Sequence, residues 1–213
     1  MTVNLVEILS KQLPELVNAA TAEMKANADK GDAELAQRYA DLQGNSGGFR
    51  VVLEGKGGAD LYLVSENGSF RADKSAPAGL PIWLSVGVNA EEANVGLEEL
   101  EEQLEKGLAF LRKRLTRQNP KKLRATLEKL SKEQLKYHLV IKETPDFDEV
   151  RIKIALGGSE PPEKPNFTVS IDYDTLAQVR DRKLKPQALL GKLQLSGDSS
   201  RFMALLMELA QRR

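Results

Sequence analysis

From Asn166 to Asp174 apolar and polar residues alternate, with Phe167, Val169, Ile171 and Tyr173 set against Asn166, Thr168, Ser170 and Asp172. A period of two predicts a strand with one buried face. Asp174 is placed to cap a short helix over 175–183, whose apolar side carries Leu176 and Val179. Lys185 and Pro186 end that helix, because proline lacks a donor and disfavours helix in the residue before it. Leu193 and Leu195 alternate with Lys192, Gln194 and Ser196 in a further strand, closed by a turn at Gly197 and Asp198. Ser199 or Ser200 then caps a last helix, with Phe202, Leu205, Leu206 and Leu209 on one stripe and Met203 and Met207 widening the apolar arc.

The chain begins with a different rhythm. Leu5, Leu9 and Leu13 make one helical stripe, Pro14 suits the first turn of a second helix with Leu16, Val17, Ala20 and Met24, and Leu35, Tyr39 and Leu42 mark a third. The run Gly44 to Gly48 breaks this pattern, and strands follow over 49–54 and 59–65, joined by the glycine-rich turn 55–58. Asn67-Gly68 is a hairpin signal before a third strand over 69–72. In the strand 82–89, Ile82, Leu84, Val86 and Val88 face the core, and Asn89 caps what comes next. Trp83 lies on the other side with Ser85 and Gly87, where a layer of helices is expected to cover it.

Residues 91–116 carry leucines at spacings of three and four, acidic residues first and basic residues last, which complements a helix dipole. Asn119-Pro120 opens another helix with Leu123, Leu127 and Leu130. The pattern then starts again. Tyr137 to Lys142 repeats the apolar spacing of Phe49 to Glu54, Glu149 to Ala155 that of Ala59 to Ser65, and Phe167 to Asp174 that of Ile82 to Asn89. An internal duplication with a period of about 85–90 residues accounts for all three matches. The expected units are 1–118, a helical lead-in with a degenerate first copy and the long helix, and 119–213, the second copy.

Composition narrows the function. Lys and Arg balance Asp and Glu at 31 each, so no net charge argues for nucleic acid or an anionic surface. The chain has no cysteine, which removes disulfides, thiolate catalysis and cysteine metal sites and suits a cytoplasmic protein. The first twenty residues contain Glu7 and Glu15, and read as neither a signal peptide nor a membrane span. His138 is the one histidine; alternation puts it on the polar, solvent-facing side of its strand, and no nucleophile elbow accompanies it. Asp146, Asp148 and Glu149 cluster without the spacing of a calcium loop, and the turn 55–58 lacks the Gly-Lys-Ser/Thr ending of a phosphate loop. The segment Ser159 to Pro165 reads as a stiff loop. No catalytic residue, metal site or cofactor is expected.

The order TVSIDYDTL, LKPQALL, Gly191-Lys192-Leu193, Gly197-Asp198 and FMALLMEL resembles the C-terminal half of the sterol carrier protein 2 (SCP2-like) domains. The resemblance implies an α/β (α+β) fold, a mainly antiparallel sheet covered by helices, and binding of a lipid or other apolar molecule in a hydrophobic cavity. Leu184, Leu189, Leu190, Phe202, Met203, Leu206 and Met207 are the expected cavity residues. A second reading is a scaffold or accessory factor that uses the same fold without bound lipid and meets a protein partner through the helices of 91–130.

Overall fold

A computed structural model of the chain describes residues 5–89, 120–144, 148–158, 160–181, 183–184, 186–198, 200–201 and 203–204. The helix expected over 91–116, the unit boundary at 118, Asp146 and most of the expected last helix lie outside the described residues. Helical structure opens the chain, with a π-helical turn at Ile8–Gln12 leading into α1 (Leu13–Ala28), followed by α2 (Ala33–Gln43). Pro14 sits in the first turn of α1, as its spacing requires. Asp32 caps α2 by accepting from the backbone N–H groups of Glu34 and Leu35 at 3.1 and 3.0 Å.

Four strands follow: β1 (Gly47–Glu54), β2 (Ala59–Glu66), β3 (Ser69–Asp73) and β4 (Ile82–Asn89). After α3 (Pro120–Lys132) come β5 (Lys136–Lys142), β6 (Glu149–Leu156) and β7 (Phe167–Asp172), then α4 (Tyr173–Arg180), α5 (Pro186–Leu190) and β8 (Gln194–Gly197). All eight strands form one mixed, mainly antiparallel sheet in the order β3-β2-β1-β4-β6-β5-β7-β8. The connectivity occurs twice. The hairpin β1–β2 is followed by β4 parallel to β1, and the hairpin β5–β6 by β7 parallel to β5; antiparallel β4 and β6 join the two sets.

Some local expectations are corrected. The residue before α4 is Asp172 rather than Asp174, which lies in the first turn where its charge suits the helix dipole. The helix ends at Arg180, and Pro186 starts α5 rather than ending a helix, a position where its missing N–H costs nothing. At the β2–β3 turn Asn67 and Gly68 both have positive φ, 53° and 76°, as an Asn-Gly hairpin requires.

The expected orientation of Trp83 also changes. The β1–β4 register slips between Gly48, opposite Ile82, and Phe49, opposite Leu84, so Trp83 has no partner on β1. Its ring meets Phe49 edge-on, with centroids 5.7 Å apart, and Trp83 is buried. A bulge defeats alternation here because it adds one residue to one strand.

Helices close over the sheet from the N-terminal side: α1 packs on β3, and α3 packs on β4 and β6 while touching α2. At the β3 edge the Asn18 amide acts like a strand neighbour. It donates to the Phe70 carbonyl at 2.7 Å and accepts from the Phe70 N–H at 2.8 Å. An edge so occupied is a poor template for further pairing.

Gly47 supplies the space that the Trp83 ring fills, since a Cβ there would lie 2.3 Å from Cζ2. Gly47→Ala is therefore expected to lower stability by about 1–3 kcal/mol, the range of overpacked cores. Thermal unfolding measures it, and an unchanged melting temperature would show that the ring yields without strain.

Candidate ligand-binding site

The register across the sheet lines up apolar side chains in rows. One row runs Leu61, Val51, Val86, Ile154, Tyr137 and Phe167. The next runs Ala59, Leu53, Val88, Ile152, Leu139, Val169 and Leu195. Side chains at paired positions share a face, so these rows form one continuous apolar surface.

Coverage of that surface is uneven. Leu61 and Leu53 on one flank, and Phe167 and Val169 on the other, are buried. Between them Val51, Val86, Ile154, Tyr137, Val88, Ile152 and Leu139 are only half-buried. In a closely packed domain the middle of a sheet is its best-covered part. Among the described residues the middle is a partly covered apolar floor spanning β1, β4, β6 and β5.

Tyr137 is the one side chain in these two rows with a hydrogen-bonding group. Its ring stacks on Phe167, with centroids 5.1 Å apart and planes 6° apart, and burial raises its phenol above the ordinary value. The group thus stays protonated and able to donate at any physiological pH. Leu139 and Leu193 pack against the same Phe167–Val169 cluster.

The opposite face inverts the usual pattern. Ser85 is 0% exposed and His138 6%, although alternation marks both as positions on the polar side. The loop between β6 and β7 packs over His138. His138 lies 2.7 Å through Nε2 from the Pro162 carbonyl, and because a carbonyl only accepts, Nε2 carries the proton. The expected surface histidine is a buried structural one.

Ion pairs fasten the same loop at two further points. Arg50 holds Asp60 through two bonds of 3.0 and 2.6 Å and reaches Glu160 at 2.5 Å. Its guanidinium is held above its ordinary value first by the bond to Asp60. Lys153 lies 3.0 Å from both oxygens of Glu54 and 2.7 Å from Glu163. The bond from Lys153 holds the Glu163 carboxyl below the usual carboxylate range, and the bond to Glu163 is the first cause that raises Lys153. Gly87 leaves room for Pro161, since a Cβ there would come within 2.9 Å of the proline ring. The stiff loop of the sequence is a strap across the back of the sheet.

Of the residues expected to line a cavity, Leu184 and Leu189 are half-buried, while Leu190 is 44% and Met203 38% exposed. Phe202, Leu206 and Met207 lie outside the described residues. The floor residues Val86, Val88, Ile152, Ile154, Tyr137 and Leu139 were not among those expected. Alternation marks Val86 and Val88 as inward-facing, but only the pairing of β4 with β6 brings them beside Ile154 and Ile152. Among the described residues no cluster of three or more histidine and carboxylate side chains is placed to hold a metal ion. No helix among them is long and apolar enough to cross a membrane.

The model of the SCP-2 sterol transfer family matches residues 100–211, more than half of the 213-residue chain. The chain belongs to this family. The match takes in β5 to β8 and the right-hand half of the apolar floor, and it agrees with the mixed sheet-and-helix architecture. Membership in the SCP-2 family points to binding or transfer of sterols or lipids. No curated protein and no solved structure matches the chain.

The strap makes a pH test possible. Because the Glu163 carboxyl is held below its unfolded value, its contribution is present above that value and fades as pH falls through the carboxylate range, roughly pH 4. Lys153→Met removes this linkage. Wild type is expected to lose more stability than Lys153→Met when urea midpoints at neutral pH are compared with those at about pH 3. Equal losses would mean that the Lys153–Glu163 pair contributes nothing in solution.

Proposed function

We propose that this protein binds a lipid or comparable apolar molecule without catalysis, holding it against the half-covered floor of β1, β4, β6 and β5. The observation that carries this reading is the reversed burial of the apolar rows, with flanks buried and middle partly open. Removing apolar surface from water contributes about 25 cal/mol per Å², so a guest laid over these side chains gains what the protein's own packing leaves unused. Family membership supports the same ligand class. Leu184, Leu189, Leu190, Phe202, Met203, Leu206 and Met207 are proposed as walls and roof beside the floor, where methionine adapts to guests of variable shape.

The paired connectivity of β1–β2–β4 and β5–β6–β7 favours an origin in two copies of one unit. The floor then belongs to both copies. A single binding surface at their seam replaces two separate cavities.

A protein-interaction scaffold without bound lipid is the competing reading, and uptake separates the two. Lipid extraction and native mass spectrometry of the purified full chain are expected to show a bound apolar molecule, or uptake of an added fluorescent fatty acid. Ile152→Trp places a bulky ring on the floor. It is expected to abolish uptake and leave the melting temperature nearly unchanged, because the ring enters space that a guest would fill. A large fall in stability would show that Ile152 is already closely packed. Retained uptake in a folded Ile152→Trp protein would remove the floor from the reading. Met203→Trp with Met207→Trp tests the roof in the same assay.

A further inference from the structure

Two polar side chains stand without partners at one end of the floor. The indole Nε1 of Trp83 and the amide Oδ1 of Asn45 are buried and, among the described residues, make no hydrogen bond. Trp83 is 3% and Asn45 6% exposed. A buried donor or acceptor left unmet costs free energy, so such groups ordinarily have a partner. The third buried orphan, the Ser85 hydroxyl, belongs to the strapped face.

The register carries the floor up to this pair. One step beyond the row through Val51 and Val86, Leu63, Phe49, Leu84 and Leu156 form a third row on the same face. Phe49 and Leu84 in its middle are half-buried, so the partly covered surface reaches this far. The Trp83 ring meets Phe49 edge-on and lies over Gly47, where a Cβ would come within 2.5 Å of Cε2, the ring atom bonded to Nε1. Asn45 stands two residues before Gly47. Fixed backbone supports each side chain. The Asn45 N–H donates to the Leu42 carbonyl at 3.0 Å, and the Trp83 carbonyl accepts from the Gly157 N–H at 2.8 Å.

The two orphans are chemically complementary. An indole N–H only donates and an amide oxygen only accepts. A group that satisfies both must accept and donate at once, as a hydroxyl does. An alkyl end satisfies neither, an ester oxygen satisfies Trp83 alone, and a carboxylate sets its charge against the Asn45 oxygen. No charged side chain stands in the three rows to hold a carboxylate.

We propose that Trp83 Nε1 and Asn45 Oδ1 anchor the hydroxyl of an apolar alcohol laid along the floor. The proposal rests on the apolar-ligand reading and adds a head group to it. Asn45 and Trp83 both lie outside residues 100–211, so the anchor comes from the part of the chain that the family model does not match.

Displacement of a fluorescent fatty acid from the full chain tests it, with hexadecanol, hexadecanoate and hexadecane as competitors that differ at one end only. Hexadecanol is expected to bind on the order of tenfold more tightly than hexadecane, from two net hydrogen bonds, and more tightly than hexadecanoate at neutral pH. Asn45→Leu and Trp83→Phe are each expected to cut the hexadecanol-to-hexadecane ratio to about threefold. Using a ratio cancels any general loss of fold, and Asn45→Leu carries the test if Trp83→Phe does not fold. Trp83 is the only tryptophan of the chain, so a shift of its emission on adding hexadecanol reads the anchor directly.

Equal binding of hexadecanol and hexadecane, tighter binding of hexadecanoate, or an unmoved emission would each overturn the anchor and leave the floor standing. A ratio unchanged in folded variants whose melting temperatures fall would assign the two atoms to a structural water and also overturn it. A wild type that takes up none of the probes, the fluorescent acid included, refutes the floor reading and the anchor with it.

Discussion

The antiparallel pairing of β4 with β6 is the constraint on which the rest depends. Val86 stands opposite Ile154, Val88 opposite Ile152, and Ser85 opposite Ala155. Side chains alternate along every strand, so this single register sets which residues of the two halves share a face. A slip of one residue would place Lys153 beside Val86 or Val88 and send Ile152 and Ile154 to the strapped side. With the observed register the apolar rows cross the seam unbroken, and Glu54 of one half finds Lys153 of the other at 3.0 Å. Backbone pairing, apolar continuity and ion pairing thus favour the same alignment, which is the consistency expected of a sequence that folds to one structure.

Much of this was legible in the residues, and the failures have identifiable causes. Strand positions, the Asn-Gly turn and the place of Pro14 follow from local chemistry that acts within a few residues. Trp83 was misplaced because a bulge cannot be seen in alternation: it depends on how β1 and β4 slide past each other at Gly48 and Phe49. His138 was misplaced for a different reason. Its strand does alternate, but the side assigned to solvent is roofed by a loop whose landing points, Arg50, Glu54 and Lys153, come from distant parts of the chain. The floor was missed because each of its residues looks like ordinary core. Only relative burial across the assembled sheet distinguishes Ile152 and Leu139 from Phe167 and Val169.

The strap and the floor are two sides of one energetic problem. A sheet whose apolar face is only half-covered forgoes part of the hydrophobic stabilisation that would normally hold it. On the strapped face Gly87 allows the loop to approach closely at Pro161, and Pro161 and Pro162 limit the entropy lost when it is ordered. The Ser85 hydroxyl is buried with no hydrogen-bond partner among the described residues, which costs free energy. Neither ion pair is worth much alone, because the Glu160 and Glu163 side chains are 75% and 82% exposed. Their value lies in fixing where the loop lands, after which the buried bond from His138 and the proline contacts add to it.

On the proposed reading, stability drawn from the back of the sheet would leave the front free to receive a guest. A binding surface for apolar guests must be underpacked when empty, since a fully packed core has no room and a collapsed one has no shape. Strands held from behind can present half-covered Val86, Ile152 and Leu139 without closing over them. The same logic explains why the Phe167–Val169 cluster with Tyr137 stacked beside it is tightly packed at the flank. On the proposed reading a rigid flank would fix the floor's outline, so that a guest would meet a formed surface and lose less of its binding energy to reorganisation.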